Sequence, residues 1–252
     1  MTTLAILQAR MKSTRLPGKI LAPLLGEPMV TRQLERIQRA QLLDDIVLAT
    51  STDPSDDPLF AWAEANDIKA FRGSLADVLQ RFVEVIDHYQ PDVVVRLTAD
   101  CPLTSPKVID AVIERFQASE VDYCSNTLTP TFPDGLDVEV VKADVLREVA
   151  TTSTDPHERE HVTLGVYRHP ERYRLANFEG SEDHSDLRWT VDTPEDLAFV
   201  AAVYEALYPD DPAFEMRDVL DLIARTPGLS RTTEHVMRNA ALTGLNTGAM
   251  NV

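Results

Sequence analysis

A β-branched run, Val93-Val94-Val95-Arg96-Leu97-Thr98, stops at Ala99-Asp100-Cys101-Pro102-Leu103. The run is short, apolar on both alternating faces and closed by a proline, so it reads as a strand of a parallel sheet covered on both sides. An acid at the end of such a strand points a carboxylate into the crevice where open α/β sheets bind ligands. Leu4-Ala5-Ile6-Leu7 and Ile46-Val47-Leu48-Ala49-Thr50 are two further bounded apolar runs. Each leads through turn formers into a helical pattern, over 29–40 with Leu34 and Ile37 inward, and through Phe60 and Trp62 to Asn66. Repeated βα units of this kind predict an α/β fold, a mostly parallel twisted sheet sandwiched by helices.

The first strand runs into Gln-Ala-Arg-Met-Lys-Ser-Thr-Arg-Leu-Pro-Gly-Lys over 8–19, which carries Arg10, Lys12, Arg15 and Lys19 with no acid among them. The chain has 41 acidic and 24 basic residues and a formal charge of −17. A cationic loop in so acidic a protein is a local site for a polyanion. The same overall charge argues against nonspecific binding to nucleic acid or a membrane surface, both of which need clustered cations on an outer face. No stretch reaches the ~20 apolar residues of a membrane span, and no charged segment precedes an apolar one at the N-terminus, so a cytoplasmic protein is expected. Cys101 and Cys124 are too few for a disulfide framework and read as reduced, Cys101 near the site and Cys124 in or beside a strand.

Farther along, a short strand over 68–71 leads to Arg72-Gly73-Ser74 and a helix opening at Asp77, where Arg81 could contact a nucleotide or pair with Asp77 four residues back. A helix follows over 106–118. From 121 the pattern changes, with a turn and alternating strand over 129–141, a helix over 143–149 and a strand over 173–178. These strands have no obvious partner in a single domain, which predicts a homodimer built on this region. His157 and His161 lie at helical spacing but lack the His-Glu-x-x-His order of a zinc site. The second strong signal is Leu187-Arg188-Trp189-Thr190-Val191-Asp192-Thr193-Pro194-Glu195-Asp196-Leu197. Asp192 closes a predicted strand, Thr193 suits an N-cap, Pro194 the first helical position, and the acids the positive helix end. That helix is expected to reach Leu207, another covers 216–224, and a short one is possible over 233–242.

The loop over 8–19 resembles the signature of the cytidylyltransferases that make CMP-activated sugar acids. Ala9, Arg10, Ser13, Arg15, Leu16, Pro17 and Lys19 match its Ala-Arg-x-x-Ser-x-Arg-Leu-Pro-x-Lys run. Gln8, where many relatives have a proline, is similar to the branch named for the spore coat polysaccharide biosynthesis protein F. The resemblance implies a nucleotidyltransferase or glycosyltransferase-A type fold, with residues 1–228 as the catalytic domain, 121–180 an inserted acceptor and dimerisation region, and 229–252 a tail. It implies CTP and a small sugar acid as partners and Mg²⁺ or Mn²⁺ as cofactor, held by Asp100 and Asp192. Arg10 and Lys19 join those aspartates as catalytic groups. Nucleotide contacts are expected from Gln8, Ala9, Arg10, Ser13, Arg15, Lys19, Ala49, Thr50, Ser51, Arg72 and Thr98. Acceptor contacts are expected from Asp134, Gly135, Asp137, Glu139, Arg159, Glu160 and His161. Two other readings share parts of this pattern. A glycosyltransferase of the same fold normally carries Asp-x-Asp where this chain has Ala99-Asp100-Cys101, and a non-catalytic scaffold would be expected to lose some of Arg10, Lys19, Asp100 and Asp192.

Overall fold

The computed structural model describes residues 1–233. In chain order the elements are β1 (Thr3–Gln8), β2 (Pro23–Leu24), β3 (Glu27–Pro28), α1 (Met29–Ile37), β4 (Asp45–Ser51), α2 (Asp57–Ala65), β5 (Ala70–Gly73), α3 (Val78–Tyr89), β6 (Val93–Thr98), α4 (Pro106–Gln117), β7 (Tyr123–Ser125), β8 (Glu139–Lys142), α5 (Ala143–Thr152), α6 (Pro156–Glu160), α7 (Leu164–Tyr167), β9 (Leu175–Asn177), α8 (Pro194–Leu207) and α9 (Met216–Arg225).

Seven strands form one sheet in the order β5-β4-β1-β6-β8-β7-β9, while β2 and β3 pair apart. β1 lies parallel to both β4 and β6, and only β8 runs against its neighbours. From β1 the chain builds outward to β4 and β5, then returns across the sheet to β6. The order therefore reverses between β1 and β6, and the loops leaving their carboxyl ends flank a crevice. That reversal places residues 9–18 beside residues 99–103.

Side-chain alternation divides the core into two layers. Ala5, Leu7, Leu48, Val95 and Leu97 face α1, α2, α4, α8 and α9, through residues such as Leu34, Ile109 and Val203. Leu4, Ile6, Val47, Ala49 and Val94 face α3 and α5, through Phe82, Val85 and Leu146. Each fully buried aliphatic side chain stabilises the fold by about 1.5–3 kcal/mol, so the central strands are the least deformable part of the molecule. Helix starts are fixed locally: Asp77, Ser105 and Asp155 accept from backbone N–H groups of α3, α4 and α6. Thr193 caps α8 as its sequence predicts, and Asp196 completes a capping box with it.

Two expectations change. Residues 187–192 are extended but make only isolated bridges, Asp134 with Arg188 and Leu187 with Thr232. Their hydrogen bonds go to loops instead of a strand: Val191 N–H donates to Asp100 O at 2.8 Å, and Trp189 and Thr190 N–H both donate to Asp134 O. The strands after 121 are not partnerless, because β8, β7 and β9 extend the main sheet. At the start of the expected tail, Arg188 N–H donates to Arg231 O at 2.8 Å and Thr233 N–H to Asp186 O at 2.9 Å. The remainder, with the possible helix over 233–242, lies outside the described residues from 234 on. No described helix is long and apolar enough to cross a membrane.

Candidate active site

Strand register builds the site. Gln8, the last residue of β1, lies opposite Ala49 of β4 and Thr98 of β6. Ala9 N–H then donates to Ala49 O at 3.1 Å, and Ala99 N–H to Gln8 O at 3.0 Å. Beyond Ala9 the chain loops out and returns at Gly18, whose φ of 74° favours glycine and whose N–H donates to Met11 O at 3.1 Å. Buried Asp56 pins the loop to β4. It accepts Met11 N–H at 2.7 Å and Ser51 N–H at 3.2 Å, and takes the Ser51 hydroxyl as well.

The loop, Asp100 and Asp192 enclose an open cleft of roughly 270 Å³. Gln8, Ala9, Arg10, Ser13, Arg15, Lys19, Thr98, Asp100 and Asp192 all line it, joined by Lys12, Thr14 and Arg81. Lys19 is buried, with 7% of its surface exposed. Its ammonium lies 3.1 Å from Asp100 Oδ2, 2.9 Å from Asp192 Oδ1 and 2.7 Å from Val191 O. Burial works against the Lys19 charge, but Asp100 and Asp192 outweigh it and hold the pKa above the usual lysine value. Burial likewise opposes the Asp100 carboxylate, and Lys19 with the Thr98 hydroxyl keeps its pKa below the usual range. Arg15 pairs with Asp192 at 3.0 Å. Arg10 is exposed on the cleft and has no ion-pair partner among the described residues.

Of the two arginines expected near a nucleotide, Arg81 lines the cleft and Arg72 does not. Arg81 is buried in the cleft wall, donating to Ser74 O at 2.7 Å through Nη2, while the Asp77 carboxylate pairs instead with Arg159 at 2.6 Å. Arg72 does not line the cleft. It bonds Ser51 O at 2.9 Å, pairs with Asp57 at 2.7 Å and lies over the Phe60 ring. Ala49, Thr50 and Ser51, expected beside a nucleotide, are wholly buried at the end of β4.

The residues expected around an acceptor are divided among several structural roles. Arg159 is held by Asp77 and by the carbonyls of Ala150 and Ser153. Glu139, largely buried, pairs with Arg96 and accepts from Tyr123 Oη at 2.7 Å and Thr163 Oγ1 at 2.5 Å. His161 is half-buried beside this cluster and burial lowers its pKa, whereas Glu160 is exposed. Asp134 is buried against Arg188 at 2.7 Å, and Gly135, with φ of 113°, packs so tightly that a Cβ would meet Thr190 N at 2.6 Å. Asp137 is half-buried. None of the seven lines the cleft.

Sequence reasoning missed Arg188 as a neighbour of the site. In the extended segment Arg188, Thr190 and Asp192 recur at every second residue and so share one side, a spacing that marks Arg188 once Asp192 is singled out.

The donor set fits a divalent ion. Oxygens of Asp100 and Asp192 converge on a single cationic point, the Lys19 ammonium, from about 3 Å each. Among the described residues no group of three or more His, Cys, Asp and Glu side chains could hold a metal by itself. Two carboxylates completed by substrate phosphates is the arrangement magnesium prefers.

The profile of a family described as cytidylyltransferase matches residues 4–217. The chain is 34% identical over 240 residues to the spore coat polysaccharide biosynthesis protein SpsF of Bacillus subtilis strain 168, covering 92% of this chain and 98% of that protein. A cytidylyltransferase structure from Leptospira borgpetersenii serovar Hardjo-bovis superposes with a TM-score of 0.86 at 30% identity, over 91% of this chain and 96% of that one. A CMP:2-keto-3-deoxy-manno-octonic acid synthetase solved with CTP shares the fold, with a TM-score of 0.64 at 19% identity over 82% of this chain and 99% of that one. So does a Mycobacterium tuberculosis H37Rv protein solved with manganese, with a TM-score of 0.55 at 16% identity over 80% and 99%.

Proposed function

Because the chain belongs to the cytidylyltransferase family, we propose that it transfers the cytidylyl group of CTP to a sugar acid, releasing pyrophosphate, for surface polysaccharide synthesis. The observation that carries this reading is the meeting of Lys19 with Asp100 and Asp192 beneath a loop that offers Arg10 and Arg15 to the same cleft. Cations for a triphosphate and carboxylates for a cation stand side by side, as nucleotidyl transfer requires.

In this reaction an acceptor hydroxyl forms a bond to the α-phosphorus while the bond from that phosphorus to the bridging oxygen breaks, and the hydroxyl's proton leaves to solvent. Charge accumulates on the departing pyrophosphate. Arg10 is free to take a phosphate oxygen, and Arg15 and Lys19 can exchange carboxylate partners for phosphate ones. Arg81 adds positive potential from the cleft wall. Preorganised cations of this kind act chiefly through charge stabilisation, and the loop's anchoring to Asp56 keeps them positioned before substrate arrives. Asp100 and Asp192 would hold Mg²⁺ or Mn²⁺, whose contribution is neutralisation of the phosphates and polarisation of the reacting phosphoryl group. Among the described lining residues the only carboxylates are those of Asp100 and Asp192, both already bound to cations. Catalysis therefore rests on placement and electrostatics more than on a dedicated base.

The acceptor side is proposed to lie toward residues 134–139 and 159–161, reached from the cleft through Gln8, whose Oε1 is 3.4 Å from Arg96, the partner of Glu139. The test is pyrophosphate release from each of the four nucleoside triphosphates against a panel of sugar acids. CTP should be preferred and release should depend on the sugar acid. Equal release from all four triphosphates would remove the cytidylyl assignment, and CTP turnover indifferent to every sugar acid would remove the acceptor class.

A further inference from the structure

Arg188 has been given no part in binding nucleotide, metal or acceptor, yet its side chain is only 3% exposed and touches the carboxylate system of the cleft. Nη1 lies 2.7 Å from Asp134 Oδ2, and Nη2 lies 2.5 Å from Asp192 Oδ2 and 3.7 Å from Asp196 Oδ2. From the far side Arg231 reaches Asp196 at 2.8 Å. Arg188 thus touches three aspartates, and Arg15 and Lys19 reach Asp192 as well. Asp134 and Asp196 are buried, whereas the Asp192 side chain is 21% exposed and opens on the cleft.

The two oxygens of Asp192 also have different partners. Oδ2 is taken by Arg188 and Arg15, and Oδ1 faces the Lys19 ammonium beside Asp100. Of the cations on Oδ2, Arg15 is half exposed and Arg188 is fixed. We infer that Arg188 is a positioning residue of the transfer site: it grips one oxygen of Asp192 so that the other is presented, beside Asp100, to the cation of the cleft. Its second arm ties that carboxylate to the turn at 134–135, which is stitched to the same segment by hydrogen bonds from Trp189 and Thr190 to Asp134 O. Only a planar fork can hold two carboxylates at a fixed angle in this way; an ammonium would hold them loosely. A partner that orients a metal ligand in this manner affects metal affinity nearly as a ligand does.

The inference rests on the reading that the cleft takes a divalent cation together with CTP, so the wild-type protein is the first arm of its test. Mn²⁺ binding is followed by electron paramagnetic resonance with and without CTP, and CTP binding without metal by calorimetry. These are compared in wild type, Arg188→Lys, and the double variant Arg188→Met with Asp134→Asn, which removes a base and an acid together and so keeps the buried charge in balance. In both variants Mn²⁺ affinity in the presence of CTP is expected to fall roughly 10- to 100-fold. CTP affinity without metal should stay close to wild type, and kcat should fall with little change in KM for CTP and recover in part as Mn²⁺ is raised. A role confined to packing would lower thermal stability and would not respond to Mn²⁺. Variants with wild-type Mn²⁺ affinity, or a kcat loss that added Mn²⁺ leaves untouched, overturn the inference alone. A wild-type protein that binds no Mn²⁺ with CTP overturns the reading of the cleft, and the inference with it.

Discussion

Replacing Lys19 with methionine keeps the length of the side chain and removes the cation between Asp100 and Asp192. All three N–H donors of the ammonium are engaged, by two carboxylates and the Val191 carbonyl. Without them, carboxylate oxygens no more than about 6 Å apart face each other across the gap. At an effective dielectric of about 20 their repulsion is about 3 kcal/mol, near the factor of 100 that relieving it could add to a binding constant. A divalent ion entering the wild-type cleft has first to displace the ammonium. Entering Lys19→Met it meets open carboxylates. Mn²⁺ titrated into CTP-free protein is therefore expected to bind the variant on the order of 100-fold more tightly than wild type. CTP binding should weaken, and turnover should fall by about 10² or more because a group that neutralises the leaving pyrophosphate is gone. Magnetic resonance of Mn²⁺ and calorimetry of CTP measure the two halves separately. Equal or weaker Mn²⁺ binding in the metal-only titration would refute the reasoning, since it would mean that the two carboxylates do not share one cation position.

Arg10→Ala should lower CTP turnover by about 10-fold or more without changing thermal stability, because the side chain is exposed and has no ion-pair partner among the described residues. Arg72→Ala should leave turnover nearly unchanged, and a loss equal to that of Arg10→Ala would show that the cleft extends past β4. Asp122 binds Lys142 at 2.7 Å and Arg174 N–H at 2.9 Å; burial opposes its charge, but these partners bring its pKa down to about 2. A depressed folded-state pKa contributes stability above the unfolded value that is lost as pH falls through the folded one. Asp122→Asn should therefore cost about 2 kcal/mol at pH 7 and almost nothing near pH 2, as read by denaturation at both pH values. With β9 at the sheet edge, a homodimer using the region after 121 is expected by sedimentation at micromolar concentration, and a lone monomer there would remove it.

The sequence by itself determined the central strands β1, β4 and β6 and the places where they stop. Val93 to Thr98, the acid after it, the proline beyond, and the Thr193-Pro194-Asp196 start of α8 are signals carried within a few neighbouring residues, and the fold realises them as read. The cationic loop was legible for the same reason, since a strand's carboxyl end and a Gly18 turn fix where its backbone goes. Tertiary structure alone decided which charge meets which. Lys19 meets Asp100 and Asp192 across 81 and 173 positions, and Asp77 pairs with Arg159 across 82, leaving Arg81 for the cleft. Asp192 reaches the crevice through a backbone hydrogen bond from Val191 to Asp100, not as the end of a sheet strand. Arg188 acquires its place only when the turn at 134 closes over it. Hydrophobic period and capping are local quantities, whereas the partner of a buried charge is chosen by whichever opposite charge the packed core brings within about 4 Å, and sequence spacing does not record that distance.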